Sequence, residues 1–133
     1  MKLQEIEGIG PAYASTLESQ GLDNIDHLLE RGGTPAGRQA LAEVSGISEK
    51  LILEWVNHAD LMRIDGVGSE YADLLEAAGV DSVPELAHRN AANLHARLAE
   101  VNDAKSVVRR VPSESEVEVW VDQAKTLPRV VHH

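Results

Sequence analysis

Apolar residues recur along this chain three and four positions apart. Leu51, Ile52, Trp55, Val56, Ala59 and Met62 keep that spacing, as do Val117, Trp120, Val121, Ala124 and Leu127. Such a stripe covers one face of a helix. No β-branched alternation bounded by turn residues occurs anywhere, so the chain reads as all-α. The pattern predicts a helix from Pro11 to about Gln20, stopped by Gly21. Asp23 and Asp81 are the expected caps of two short helices, one carrying Ile25, Leu28 and Leu29, the other Val83 and Leu86. Thr34-Pro35 opens a helix through Leu41 to Val44, and Asn90 opens one over 91–101. Ser48 starts a longer helix over 48–62. Ser113 with Glu116 forms a capping box for a last helix over 114–127, which Pro128 ends. The expectation is nine or ten short helices.

The pattern is also duplicated. Residues 6–28 lie over residues 64–86 at a constant offset of 58, with 10 of 23 positions identical. Among the identities are Gly8/Gly66, Gly10/Gly68, Tyr13/Tyr71, Ala14/Ala72 and Gly21/Gly79. Further on, the sequence LAEV at 41–44 matches 98–101, and Trp55-Val56 matches Trp120-Val121. The second copy carries eight extra residues between those landmarks, within NDAKSVVRRVP. Repetition of a helical unit is a strong organising signal. The reading is a single domain over 1–133 built of two pseudo-repeats, about 1–63 and about 64–130, with 131–133 as a tail. A half of this length buries little surface alone, so the repeats are expected to share one core. The helix over 114–127 is expected to pack across the first copy or to offer its stripe to a second subunit.

Each copy opens on a Gly-apolar-Gly turn placed just before a helix: Gly8-Ile9-Gly10 and Gly66-Val67-Gly68. The dinucleotide fingerprint needs a further Gly or Ala where Tyr13 and Tyr71 stand, and no apolar strand precedes the turns. A Gly-Lys-Ser/Thr phosphate loop is also missing. With Ile6 and Ala14 in the first copy and Ile64 and Ala72 in the second, the turns resemble the helix-hairpin-helix superfamily. The two-copy layout resembles a bacterial family of unknown function with tandem repeats of this kind. The resemblance covers about residues 1–30 and 50–88. It implies a SAM-like, recombinase-N-terminal-like helical unit in each copy. It also implies backbone contact with nucleic acid, independent of base sequence, through Gly8, Ile9, Gly10, Gly66, Val67 and Gly68. The physical logic stands beside the name: a glycine turn lets another chain approach closely, and the helix N-terminus behind it favours an anion.

Charge works against that expectation. Twelve Lys and Arg face 22 Asp and Glu, a formal charge of −10, shared equally by the two copies. The usual basic residue after the second glycine is replaced by Pro11-Ala12 and Ser69-Glu70. A carboxylate a few Å from a phosphate opposes binding by roughly 1 kcal/mol in water. The densest cations are Lys105, Arg109 and Arg110, all in the insertion, and they are the expected helpers toward phosphate or an acidic partner. The alternative function is a protein–protein adaptor that keeps the scaffold without binding DNA.

Other chemistry is thin. There is no cysteine, which excludes disulfides, a thiol nucleophile and Cys-ligated metal. His88 and His95 are expected on different helices, and no metal-type histidine spacing occurs. No enzyme, cofactor or metal is expected. Phe is absent and aromatics make up 3%; Trp55 and Trp120 are expected in the core, with Tyr13 and Tyr71 packed beside the turns. Neither a signal peptide nor a long apolar run is visible, so the expectation is a cytoplasmic monomer or weak dimer away from membranes. Its partner is expected to be the DNA backbone or a protein.

Overall fold

The computed structural model describes residues 2–133, and among them every regular element is helical. A 3-10 turn over Leu3–Glu5 precedes eight α-helices: α1 (Pro11–Ser19), α2 (Ile25–Gly32), α3 (Pro35–Ser45), α4 (Glu49–Leu61), α5 (Ser69–Ala77), α6 (Val83–Ala87), α7 (Ala91–Lys105) and α8 (Glu114–Ala124). The chain divides into two compact units. The first holds residues up to Asp60 together with Val130–His133, and the second holds Leu61–Arg129.

Within the first unit α2 packs on α3, and the 3-10 turn packs on α1. Leu17, Leu22, Leu28, Leu41, Ile52 and Val56 are fully buried there. Within the second unit α8 packs on α6 and α7, and α5 packs on α7. Leu74, Leu75, Val80, Leu86, Leu98 and Val117 form its centre. Each such aliphatic side chain contributes about 1.5–3 kcal/mol on leaving water, so leucine and valine supply the buried apolar surface without phenylalanine. The stripe of α8, Val117, Trp120, Val121 and Ala124, is buried, and α8 packs on helices of its own unit rather than waiting for a second subunit.

Most helix starts follow the side-chain chemistry read from the sequence. Thr34 Oγ1 accepts the Gly37 N–H at 3.0 Å, Ser48 Oγ accepts the Leu51 N–H at 3.2 Å, and Asn90 Oδ1 accepts the Asn93 N–H at 3.0 Å. Ser113 and Glu116 make the reciprocal capping box. Asp23 and Asp81 are not the caps of α2 and α6. Asn24 and Ser82, one residue later, accept from the His27 and Glu85 amides. The displacement follows from the turn before them. Gly21 and Gly79 take left-handed φ of 84° and 94°, and the Leu22 and Val80 amides reach back to the Leu17 and Leu75 carbonyls. This closing motif consumes one more residue than a simple glycine stop, so the extended capping position falls on 24 and 82. At the other end, α8 stops at Ala124 instead of 127, because the Thr126 amide and hydroxyl both bond to the Gln123 carbonyl.

The segment Val130–His133 is part of the first unit. Val131 is buried, the His132 N–H donates to the Gly33 carbonyl at 2.7 Å, and buried Arg38 donates through Nη2 to the His132 carbonyl at 2.7 Å.

Candidate functional site

The two Gly-apolar-Gly turns have nearly the same geometry. Gly8 and Gly66 lie at φ of 95° and 92°, a region that only glycine enters without strain. Ile9 and Val67 are buried, and their amides close the turn onto the Ile6 and Ile64 carbonyls at 3.1 and 3.0 Å. The middle residue is thus the anchor that holds each turn to its core.

Gly10 and Gly68 are different. They are the N-cap residues of α1 and α5, at φ of −83° and −89°, an ordinary conformation for any residue. A Cβ on either would meet nothing within 4 Å. Neither backbone strain nor packing demands glycine there. As glycines, the N-cap residues of α1 and α5 make no side-chain cap bond, whereas α2, α3, α4, α6, α7 and α8 all have an N-cap side chain that accepts a backbone amide. In front of both helix starts lies open space beside the partial positive charge of a helix N-terminus.

A tryptophan lies behind each turn. A Cβ on Gly8 would sit 3.4 Å from Trp55 Nε1, and one on Gly66 would sit 3.1 Å from Trp120 Nε1. Tyr13 packs on Trp55 with ring centroids 5.0 Å apart, and Tyr71 on Trp120 at 5.3 Å. Both tryptophans are buried as their apolar register required. Tyr13 keeps 41% of its surface exposed.

The second unit brings part of the basic insertion to its turn. Tyr71, in the first turn of α5, donates its hydroxyl to the Arg110 carbonyl at 3.0 Å. Asn102 holds the same loop from the other side, with both side-chain atoms bonded to the Val108 main chain at 2.8 and 3.0 Å. Arg110 then grips Glu116 with two parallel bonds of 2.8 and 3.0 Å. The hydrogen bonds from Arg110 hold the Glu116 carboxyl down at about 2, helped by the Ser113 N–H. The cation expected to face a ligand is therefore paired with a carboxylate on an exposed surface. Lys105 ends α7 and Arg109 lies in the loop, both exposed; among the described residues neither bonds to the Gly-x-Gly turn.

Sequence reasoning missed Glu116 as the partner of Arg110, and also a groove beside the second turn. Gly66, Ser115, Glu116, Val119 and Trp120 line about 350 Å³ there. Val119, 59% exposed, supplies its apolar wall. The available signal is the repeat itself: in the Trp55/Trp120 register, Val119 takes the place of Glu54. His88 caps the end of α6 while His95 belongs to α7, so the two histidines do lie on separate helices.

A family model described as "Domain of unknown function (DUF4332)" matches residues 7–127. The chain belongs to this family. That span takes in both turns, the insertion and all of α8. No curated protein and no solved structure matches the chain. No helix among the described residues is long and apolar enough to cross a membrane.

Proposed function

We propose that this family member is a non-enzymatic, cytoplasmic binding module made of two helix-hairpin-helix repeats. It contacts the sugar–phosphate backbone of nucleic acid through the main chain of Gly8–Gly10 and Gly66–Gly68, without reading bases. Lys105, Arg109 and Arg110 add charge beside the second turn. One observation carries the reading: Gly10 and Gly68 are N-cap glycines that the fold does not need, with no cap side chain of their own and open space in front. Phosphate contacts of this kind fix position on a nucleic acid and carry no sequence information.

The test is a titration of labelled duplex DNA at low and moderate salt. Counterion release predicts a log–log slope near −0.9 per phosphate neutralised, hence about −2 to −3 for the three cations of the insertion. Absence of any shift at low salt removes the reading.

A protein–protein adaptor is the second reading, favoured by the Arg110–Glu116 pair and by the apolar groove at Val119. A cation already neutralised adds little to phosphate binding, and a chain of charge −10 repels DNA at long range. Co-purification of a stoichiometric protein partner, with no DNA shift, supports this reading against the first.

A further inference from the structure

The last helices of the two copies exchange charge for apolar surface at neighbouring positions. In the Trp55/Trp120 register, Leu53-Glu54 of α4 is replaced by Glu118-Val119 of α8, and Asn57 by Asp122. Val119 is thereby left 59% exposed as the wall of the groove beside Gly66. The groove's own carboxylate, Glu116, is held by Arg110 at 2.8 and 3.0 Å. What the groove can still take is an apolar group.

Uncompensated carboxylates run along the same helix. Glu114, Glu118 and Asp122 are exposed and stand four residues apart on α8, a spacing at which like charges repel. They form one wall of a polar cleft of about 350 Å³ at the start of α7. Asp122 has Lys125 at 3.9 Å, whereas Glu114 and Glu118 form no ion pair among the described residues. Arg89, which also lines the cleft, is already bonded to Glu85 and to the Gly79 carbonyl, each at 3.1 Å. The charge left over in the cleft is negative.

We propose that this face of α8 binds a basic segment of another protein, in which an aliphatic side chain is flanked by lysine or arginine. The aliphatic group enters the groove against Val119 and Trp120, and the neighbouring cations reach Glu114 and Glu118. Complementary charge selects this occupant: an acidic segment or a phosphate is repelled by the carboxylates, and an uncharged segment leaves the repulsion along α8 in place. The desolvated anchor carries most of the affinity, and the rim charges fix orientation and speed encounter. The proposal rests on the adaptor reading and gives its partner a chemistry.

The probe is a labelled, acetylated peptide, Lys-Lys-Leu-Lys-Lys, titrated into the full chain at low salt. Its Ser-centred counterpart is expected to bind about tenfold more weakly, since the buried aliphatic group is lost. Val119→Glu restores the residue type of the first copy at an exposed position. It is expected to weaken the Leu peptide by about tenfold or more, although it makes the chain more acidic; general attraction between a basic peptide and an acidic protein would instead strengthen. Glu114→Gln and Glu118→Gln are each expected to weaken it by about two- to fivefold, an effect that added salt removes. The indole N–H resonance of Trp120 is expected to shift on titration while that of Trp55 stays in place. The proposal is overturned if the wild type takes up no peptide, if Val119→Glu binds it as tightly or more tightly, or if both indole signals move together. Self-association of the wild type that is lost in Val119→Glu assigns the face to a second copy and overturns it too. A protein partner that co-purifies equally with the wild type and with Val119→Glu overturns it while leaving the adaptor reading standing; a salt-dependent DNA shift with no peptide uptake removes both.

Discussion

Gly66 and Gly68 are two residues apart in one turn, yet replacing each by Thr should have opposite consequences. At Gly66 the backbone has φ of 92° and a Cβ would lie 3.1 Å from Trp120 Nε1. A β-branched residue held in such a conformation costs about 1–3 kcal/mol, before the indole has shifted to make room. Gly66→Thr should therefore lower stability by at least that amount. At Gly68 the φ of −89° and ψ of −172° suit Thr, and a Cβ meets nothing within 4 Å. Thr and Gly are comparable N-cap residues, so Gly68→Thr should leave stability within about 0.5 kcal/mol, and the new hydroxyl can accept from the first turn of α5. What Thr does at position 68 is fill the open space and occupy the amides. A hydrogen bond to a charged acceptor contributes about 1.5–3 kcal/mol, so its loss weakens nucleic-acid binding by roughly tenfold to a hundredfold. Urea denaturation followed by tryptophan fluorescence gives the stability, and anisotropy of a labelled duplex at low salt gives the affinity. Two results refute the reasoning. One is a Gly68→Thr chain destabilised as much as Gly66→Thr, which would make both glycines structural. The other is a stable Gly68→Thr chain that binds DNA as tightly as the wild type.

Glu116→Gln keeps the capping box, since Gln serves at that position, and removes the charge that holds Arg110. The Glu116 pKa is depressed from 4.5 to about 2, so its contribution to stability is present above about pH 4.5 and is lost as pH falls through about 2. The variant should flatten the fall of melting temperature across that interval, and an unchanged pH profile counts against the pairing. Asn102→Ala removes both bonds to Val108 and should cost about 1–3 kcal/mol at ~0.5–1.5 per bond, with amide exchange at Val108 speeding up before the rest of the second unit. Leu75→Ala, at a fully buried position, should cost about 2–5 kcal/mol in denaturant unfolding; a loss below 1 kcal/mol would place Leu75 outside the core.

Local chemistry made much of this fold legible. Thr34-Pro35, Asn90 and Ser113 with Glu116 mark helix starts because the cap and its amide lie three residues apart, within the reach of a sequence pattern. Asp23 and Asp81 misled because a Schellman closure and a simple glycine stop look alike in sequence and differ by one residue in where the next cap falls. The turn glycines were legible as a pair, but not that Gly8 and Gly66 serve the backbone while Gly10 and Gly68 do not; that distinction lies in φ. Long-range chemistry was invisible. Tyr71 and Arg110 are 39 residues apart, and Arg38 and His132 are 94 apart. A polar contact at such separation has no periodic signature, unlike the recurring apolar register that placed Trp55 and Trp120 inside.

The return of Val130–His133 to the first unit sets an order of events during synthesis. Leu61–Arg129 is continuous in sequence and has all its residues once it has been translated. The first unit does not: with everything up to Asp60 made, Arg38 has the Gly32 carbonyl on Nη1 but still lacks the His132 carbonyl on Nη2, and the seat of Val131 is still empty. At ~5–20 residues per second, the ribosome needs several seconds to deliver the missing piece. The N-terminal part of this chain is thus translated first and finished last, and a stalled or truncated product exposes it unfinished.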